Sequence, residues 1–577
     1  MTSNSILRRI EYLFNKSFDL KTQVLIRVAL IGIAVGVVGV AFRVGTEKVT
    51  DFLVHNSASR EHWYDSLWLP IICTLGGLFA SYITVKYAKD AAGSGIPQVK
   101  VALNQMGVII KLRTIIVKFF GAMAGIASGL SLGREGPTIH IGAGLGSTLA
   151  KATGGKHPKR AMASGAGAGL AAAFNTPIAG VLFVIEELDR DFSSVSLGPA
   201  IVGSVSAAVT CRLLYGDFFL FHFQSDSGMN MNALPFYVIL GILAGVFGIY
   251  FQRSIVWGLD FYKNNLRSIP AWAFGAVAGL ITGLVGIWIP EALGGGHTTL
   301  EGTLAQAYVW WFIPVIFLAK YLLTVVAYGS GVPGGIFAPS LVLGALMGAT
   351  LGNILDMAFP YLDIHPASFA FVGMGAFFTG ISRAPITSIV MLFELTGNYD
   401  LVLPLMFACI IANITAERAQ KGSIYENLLE REGVELKKYS SPSYLQRFSV
   451  AEAMITNVDT IKEGTKLSEL HNLFEESDHT GFPVVNQDNG LVGIVTKHDL
   501  HDAFDKRIDR SHPVSEIMSS HLKLLTPKDS LHTTILLLYE HKIGRLIVVD
   551  PHDSSKIVGL ITRSDIINFE AHKELDL

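Results

Sequence analysis

Long apolar segments follow one another from about residue 23 to residue 418, whereas the chain after residue 430 alternates charged and apolar positions. A helix needs about 20 apolar residues to cross a bilayer, so the first region predicts a bundle of membrane helices. The second region has the periodicity of short strands and amphipathic helices. The predicted fold class is an all-α polytopic membrane domain followed by an α/β cytoplasmic domain pair.

Many of the apolar segments are interrupted by glycine, and several are too short for a full crossing. Prolines open five of them, at positions 97, 137, 177, 339 and 385. Proline suits the first turn of a helix, because its missing N–H would have no partner there. The pattern therefore predicts broken helices that begin at membrane depth. Spanning or buried helices are expected at about 23–52, 67–88, 107–131, 138–150, 160–173, 177–188, 195–214, 234–261, 270–289, 305–328, 338–358, 367–381, 385–395 and 401–418.

The apolar region contains an internal repeat. Residues 128–146, "SGLSLGREGPTIHIGAGLG", resemble residues 328–348, and residues 169–188, "GLAAAFNTPIAGVLFVIEEL", resemble residues 376–395. The spacing is also similar, since a proline precedes a glutamate by nine positions in both of the latter segments. Matched spacing favours a true duplication over chance similarity between glycine-rich helices.

Charged loops predict how the two halves are oriented. The loop 151–160 is basic, whereas its counterpart 352–367 contains no lysine or arginine. By the positive-inside rule the two loops face opposite sides of the membrane, which makes the repeat an inverted one. Arg418 and Lys421 place the tail in the cytoplasm, and residues 1–22 form a cytoplasmic N-terminal segment. We expect a multi-pass protein of a bacterial inner membrane.

Composition agrees with this interpretation and limits the partners. Hydrophobic residues make up 50% of the chain and charged residues 16%, against about 25% charged in soluble domains. The formal net charge of −2 gives no reason to expect nucleic acid. Cys73, Cys211 and Cys409 lie within apolar segments without a CxxC motif, so we interpret them as buried packing residues.

Three glycine-rich stretches stand immediately before predicted half-helices: "GSGIP" (93–97), "GREGP" (133–137) and "GGIFAP" (334–339). The first N–H groups of a helix lack partners and carry a partial positive charge, so converging N-termini form an anion site. A carboxylate such as Glu135 would occupy the place of the anion. Its protonation would release it, which suits a gate that also carries a proton. The alternative is a pair of Arg134 with Glu135 or a simple helix cap.

Together and in this order, the three motifs resemble the CLC family of chloride channels and chloride/proton exchangers. The resemblance extends from about residue 25 to the end of the chain. It implies a homodimer with one anion path in each subunit and a membrane transport domain over residues 23–430. It also implies that the transported species are chloride and protons.

The resemblance assigns roles to single positions. Ser94 corresponds to the hydroxyl that coordinates the central anion, and Glu135 to the external gating glutamate. Ser94 is typical of the chloride-preferring branch, since proline stands there in the nitrate-handling branch. The residues expected around the anion are Ser94, Gly95, Ile96, Gly136, Ile336, Phe337 and Tyr425. Without the resemblance, the sequence would favour Tyr425 as an aromatic linker residue.

Glu187, in "FVIEELDR", matches the family's internal proton-transfer glutamate, which is a signature of exchangers. The residues alone leave open a charged helix end at the cytoplasmic surface. The repeat separates Glu187 from its neighbour, because Glu186 has the counterpart Glu394 and Glu187 has none. Glu186 is therefore expected to be structural. Lys118 and the "GGGH" stretch (294–297), interpreted as a loop, receive no site role.

The tail repeats as well, because residues 480–500 resemble residues 544–566, each with two strands and a Thr-x-x-Asp end. These units resemble paired CBS domains, expected at 448–506 and 511–572 after a linker at 431–447. The resemblance implies an adenine-nucleotide cleft (ATP, ADP or AMP), with Thr496 and Thr562 near phosphate and Asp499 and Asp565 near ribose. A dimer brace without any ligand is the alternative.

The preferred function is thus a chloride/proton antiporter gated by Glu135, and the alternative is a passive voltage- or pH-gated chloride channel. A divalent-cation transporter would need a cluster of intramembrane acids, whereas the polar groups here are donors at helix N-termini. No HExxH motif or phosphate-binding loop is present, so neither an enzyme nor a metal site is expected. No cofactor is required for transport.

Overall fold

The computed structural model describes residues 20–52, 67–104, 110–152, 158–189, 194–216, 233–434, 445, 448–477, 479–541 and 543–576. The chain divides into two compact units, Met1–Leu436 and Lys437–Leu577. Most of the predicted N-terminal segment, part of the basic loop 151–160 and most of the linker lie outside the described residues.

The described part of the first unit is helical. Seven of its helical stretches are long and apolar enough to cross a membrane, and the others are shorter. The chain is therefore a multi-pass membrane protein with broken helices, as predicted. The helices are α1 (Leu20–Thr50), α2 (Trp68–Tyr87), α3 (Ile96–Asn104), α4 (Leu112–Ala127), α5 (Glu135–Ala152), α6 (Pro158–Phe174), α7 (Pro177–Phe183), α8 (Ser194–Tyr215), α9 (Leu234–Asn265), α10 (Phe274–Trp288), α11 (His297–Leu304), α12 (Ile313–Gly329), α13 (Phe337–Ala358), α14 (Pro366–Ser382), α15 (Pro385–Thr396), α16 (Val402–Ala419) and α17 (Ile424–Arg431).

Glycine allows corresponding helices of the two repeats to pack closely. Helix α5 packs on α6, and α13 packs on α14 in the same way. A side chain on Gly142 would collide with the backbone of Gly165, and one on Gly344 with the backbone of Gly373. Small residues at such contacts let membrane helices approach each other closely. The central pairs of helices are thereby held together in both repeats.

One predicted element differs from the structure. The "GGGH" stretch is a loop only through Gly296, because His297 begins α11, and the apolar segment expected from residue 305 begins at Ile313. Helix α11 has eight residues, including threonines and a glutamate. The pattern of apolar residues did not predict this helix, because it is too short and too polar to be recognised as a membrane segment.

The second unit contains two three-stranded sheets with the same topology. In each, the first two strands are parallel and the last two antiparallel, in the orders β1-β2-β3 and β4-β5-β6. The two α/β motifs predicted from the repeat are confirmed. The strands are β1 (Ile461–Lys462), β2 (Gly481–Val485), β3 (Leu491–Thr496), β4 (Leu524–Leu525), β5 (Arg545–Asp550) and β6 (Asp553–Thr562). The helices are α18 (Leu467–Glu476), α19 (Lys497–Asp505), α20 (Leu531–Glu540) and α21 (Arg563–Asp576).

In the second unit, the segment that precedes each sheet motif packs into the core of the other motif. Leu445 and Val450 lie in the core formed around β4–β6, whereas Val514 lies in the core around β1–β3. Ile455 also pairs with Leu560 by two backbone hydrogen bonds of 2.9 Å. The two motifs are therefore interlocked and form one folding unit.

Candidate anion and proton site

The loop before α3 has a conformation that glycine adopts easily. Gly93 and Gly95 have φ angles of +61° and +85°. Lys118, fully buried on α4, donates a hydrogen bond of 2.9 Å to the carbonyl oxygen of Gly93. Because a peptide is planar and trans, this contact turns the N–H of Ser94 away from the lysine. Lys118, which received no role from the sequence, therefore orients the "GSGIP" loop.

The glycine-rich loops of the two repeats meet. Gly133 and Gly335 exchange two backbone hydrogen bonds of 2.6 and 2.7 Å. A Cβ atom on Gly136 would lie 3.0 Å from the Cβ of Ser94 and 3.3 Å from the Cα of Gly335. The starts of α3, α5 and α13 thus converge, as the three motifs predicted.

Glu135 lies at this convergence. It is the first residue of α5 and is completely buried. Its Oε2 accepts a hydrogen bond of 3.3 Å from the N–H of Ala338, in the first turn of α13. Its Oε1 has no hydrogen-bond partner among the described residues. The carboxylate therefore occupies the helix N-terminus begun by Ile336 and Phe337, where an anion would also be attracted.

Tyr425 is buried on α17. Its ring packs edge-on against Phe183 at 6.5 Å, and Phe183 in turn contacts Phe337 at 6.0 Å between ring centroids. Tyr425 also lies two residues after Ser423, whose hydroxyl bonds to Glu187, and Phe337 is the residue before Ala338, whose N–H bonds to Glu135. The structure thus brings the tyrosine into the same region as both predicted glutamates.

Tyr328 is a site residue that the sequence did not indicate. It is buried at the end of α12, and its hydroxyl lies beside the loop that carries Ser94. A Cβ atom on Gly93 would lie 3.2 Å from the same hydroxyl. The only signal in the sequence is a tyrosine shortly before "GGIFAP", which is not specific. Ser94 also accepts a 3.3 Å hydrogen bond at Oγ from the N–H of Ile96.

Glu187 is completely buried and contacts two helices. It lies in the π-helical turn Val184–Asp189, a kind of distortion that is frequent at functional sites. Its Oε1 is 2.8 Å from the Nζ of Lys100 and accepts a 2.6 Å hydrogen bond from the hydroxyl of Ser423. Lys100 also contacts Glu426 at 3.1 Å. Glu187 is therefore buried and paired rather than exposed, and the sequence missed both Lys100 and Ser423.

Glu186 and Glu394 perform matching structural roles. Glu186 accepts backbone hydrogen bonds of 3.0 and 2.7 Å from Ile386 and Thr387, in the first turn of α15. Glu394 accepts bonds of 2.8 and 3.0 Å from Ala179 and the residue before it, in the first turn of α7. Each acid thus caps the helix that carries the other, which satisfies otherwise unpaired N–H groups.

The four residues expected near a nucleotide in the tail form two capping boxes. Thr496 and Asp499 bond to each other at the start of α19, with Asp499 Oδ2 accepting both the N–H and the hydroxyl of Thr496. Thr562 and Asp565 repeat this arrangement at the start of α21. These residues therefore stabilise helix starts, whatever else they contact.

Comparison with known proteins adds independent information. Residues 76–417 match the family described as "Voltage gated chloride channel", and residues 450–506 and 514–572 match the CBS domain. A relative from Vibrio parahaemolyticus serotype O3:K6, "H(+)/Cl(-) exchange transporter ClcA", is 35% identical over 428 residues, which cover 71% of this chain and 89% of the relative. This relative is bacterial.

Two solved structures resemble the chain. The structure of a slow cyanobacterial Cl−/H+ antiporter has a TM-score of 0.67 at 28% identity and covers 72% of this chain and 99% of its own. A eukaryotic CLC transporter has a TM-score of 0.64 and covers 94% of this chain and 97% of its own. At 20% identity, the second structure supports the fold alone.

Proposed function

We propose that this chain, which belongs to the family of voltage gated chloride channels, exchanges chloride for protons across a membrane. The observation that carries the proposal is the position of Glu135. Its buried carboxylate bonds to the first turn of α13, where three glycine-rich loops from both repeats converge. A group that occupies the anion's place and can bind a proton links the two fluxes directly. The antiporters among the relatives and solved structures support this reaction.

The anion is held by dipoles and hydroxyls in this proposal. Ser94 and Tyr425 supply hydroxyl groups, and the backbone N–H groups of Gly95, Ile96, Gly136, Ile336 and Phe337 supply the remaining donors. Helix N-termini carry about half a positive charge each, so they attract chloride without the strong binding of a full opposite charge. An ion bound in this way is also able to leave.

Protons take a route that includes Glu187. Glu187 receives a proton from the cytoplasmic side and passes it toward Glu135, with Tyr425 between the two glutamates. Accepting that proton neutralises the carboxylate and so weakens its ion pair with Lys100. Glu426 lies within 3.1 Å of the same ammonium and offers it a second acceptor. The proton transfer therefore need not leave a buried lysine unpaired.

The decisive experiment records chloride and proton movement together in proteoliposomes containing the full chain. A chloride gradient should drive protons in the opposite direction, against their own gradient. Chloride movement without any proton movement would overturn the exchange proposal and leave a passive channel.

We further propose that the chain acts as a homodimer with both termini in the cytoplasm of a bacterium. Helices α7, α8, α15 and α16 pack together and expose apolar side chains, including Ile178 at 55% and Ile386 at 49%. Such a face suits contact with either lipid or a second copy. Mass measurement in detergent distinguishes the two, because a monomer mass would contradict the dimer.

The CBS pair is proposed to bind an adenine nucleotide and to regulate transport. A ligand regulates only if it binds two conformations with different affinity. Helix α17 offers a short route for such regulation, since it carries Tyr425 and directly follows Ser423, and the chain continues from it toward the tail.

A further inference from the structure

A second cavity lies apart from the site formed by Ser94, Glu135 and Tyr425. It has a volume of about 360 Å³ and is lined by the end of α1, by Arg134, by Glu291 and by the loop Gly294–Gly296 with His297. If the N-terminus of the chain is cytoplasmic, α1 crosses the membrane and its end, with Glu47, is external. The cavity therefore opens toward the external side in the proposed orientation.

The loop of this cavity repeats the geometry of the "GSGIP" loop. Gly294 and Gly296 have φ angles of +57° and +81°, close to those of the two glycines at 93 and 95. Lys320, fully buried on α12, donates a 3.1 Å hydrogen bond to the carbonyl oxygen of Gly294. Lys118 binds the equivalent carbonyl of its own repeat at 2.9 Å. Each lysine lies 19 positions before the proline of the following half-helix, so the two loops are counterparts in the duplication.

The contacts of Lys320 with this loop orient a backbone N–H group away from the lysine. Lys320 also contacts the carbonyl oxygens of Ala292, at 3.2 Å, and Leu293, at 3.5 Å. The N–H groups of Leu293 and Gly294 already donate to the carbonyl oxygens of Pro290 and Gly129, at 3.1 and 2.7 Å. Because a peptide is planar and trans, the N–H of Gly295 points away from the carbonyl oxygen of Gly294 and hence away from Lys320. Helix α11 begins directly after this loop and adds its unpaired first-turn N–H groups.

Arg134 provides independent evidence for a ligand. Only 5% of the residue is exposed, and its Nη1 donates a 3.0 Å hydrogen bond to Oε1 of Glu47. Its Nε and Nη2 have no hydrogen-bond partner among the described residues, although the side chain lines the cavity. Buried guanidinium N–H groups without acceptors are costly. Glu47 is already engaged by Arg43 at 2.9 Å and Tyr215 at 2.7 Å.

We propose that this cavity binds a monovalent anion and supplies it to the transport path; the proposal rests on the proposed function. The anion is held by Arg134 and by the N–H groups at the start of α11. Gly295 and His297 also line a small void together with Ala338, whose N–H bonds to Glu135. The void thus connects the cavity wall to the residue that binds Glu135, and in this proposal the anion waits in the cavity until Glu135 is protonated.

Carboxylates on the cavity wall weaken this binding without turning the cavity into a cation site. Glu291 lines the cavity with an oxygen that has no hydrogen-bond partner among the described residues. However, the described part of the chain contains no group of three or more histidine, cysteine, aspartate or glutamate residues that could hold a metal ion. Glu291 is expected to limit the anion's affinity, so that the ion moves on rather than remaining trapped.

The first test is anomalous diffraction from crystals of the full chain grown in bromide. We expect one bromide near Ser94 and Tyr425 and a second near Arg134 and Gly295, the second of which disappears in Arg134→Gln. A peak at the central site alone would overturn the outer site. Absence of bromide from both would contradict the proposed transport path itself, so the two failures are distinguishable.

The second test measures chloride flux in proteoliposomes as a function of external chloride. Arg134→Gln should raise the half-saturating external concentration about tenfold or more, the effect of losing a charged hydrogen bond. Glu291→Gln should lower it. Gly295→Ser should also lower it, since it recreates the hydroxyl of Ser94 and its Cβ would have 3.7 Å of space to the nearest atoms.

Arg113→Gln, which removes an exposed arginine of α4, is the matched control and should leave the half-saturating concentration unchanged. If Arg134→Gln instead reduced the flux equally at all external concentrations, Arg134 would only position Glu135, and the outer site would be rejected. A higher half-saturating concentration in both Glu291→Gln and Gly295→Ser would also reject the outer site.

Discussion

Lys100 and Glu187 form an ion pair in which both side chains are almost completely buried, with 2.8 Å between Nζ and Oε1. Lys100 lies one turn into α3, whose first residue, Ile96, follows the loop that contains Ser94. Helix α17 forms a second link, because Ser423 at its start contacts Glu187 while Tyr425 lies two residues further on. Helices α3 and α17 therefore link some of the proposed anion donors, Ile96 and Tyr425, to the proposed proton donor Glu187.

Replacing Glu135 with glutamine should abolish proton movement and leave chloride flux measurable. Glutamine keeps nearly the shape of the protonated acid but cannot release a proton. Simultaneous chloride and proton recording in proteoliposomes measures both fluxes. Proton movement that continued in Glu135→Gln would show that another group carries the proton.

Glu187→Gln should also eliminate proton coupling while chloride transport continues, because Glu187 is proposed to lie off the anion path. Glu186→Gln is the neighbouring control, and Glu394→Gln is its counterpart in the other repeat. Both controls should keep coupling and lose a similar amount of stability, about 0.5–2 kcal/mol, since each weakens one helix cap. Full coupling in Glu187→Gln would show that the internal acid has been misidentified.

Lys100→Met tests the buried pair. Removing one partner of a buried ion pair costs about 3–5 kcal/mol when the other charge remains. We expect slower proton-coupled transport and a lower unfolding temperature in detergent. The double variant Lys100→Met/Glu187→Gln should recover much of the stability but no proton coupling. If the double variant were no more stable than Lys100→Met, the pair would not account for the loss.

Ser94→Pro should raise nitrate transport relative to chloride transport. The change removes the hydroxyl and one backbone N–H, and the smaller, more strongly hydrated chloride depends more on such donors. Competition between the two anions during flux gives the ratio. The hydroxyl of Tyr328 lies beside the same loop, so Tyr328→Phe shows whether the loss of this neighbouring hydroxyl also changes the ratio. An unchanged ratio in Ser94→Pro would reject the role of Ser94 in selectivity.

Calorimetry on the full chain should detect ATP, ADP or AMP binding with micromolar to millimolar affinity. Because Thr496 and Thr562 cap helices, their substitution should lower the stability of the tail by about 0.5–2 kcal/mol even without nucleotide. Loss of binding in such variants is therefore informative only if the tail remains folded, as judged by its unfolding temperature. The absence of any heat with all three nucleotides would favour the role of a dimer brace.

Much of this protein follows from local sequence, because the properties concerned are local ones. An apolar run, a proline in a first turn and a glycine before it determine where a half-helix begins. The three converging loops and the division into a membrane region and a tail could be predicted for this reason. The contrast between Glu186 and Glu187 also followed from the sequence, since a duplication identifies the residue that has a counterpart.

The tertiary structure alone decided which distant side chains meet. Lys100 and Glu187 are 87 positions apart, and Glu187 and Ser423 are 236 apart. No periodicity carries information over such distances, and a single lysine in "IPQVKVAL" has no distinctive signal. The same holds for Lys320 and Arg134, whose burial depends on the packing of the two repeats against each other. The sequence thus determined where the helices begin and end, whereas tertiary packing determined which charged side chains are buried between them.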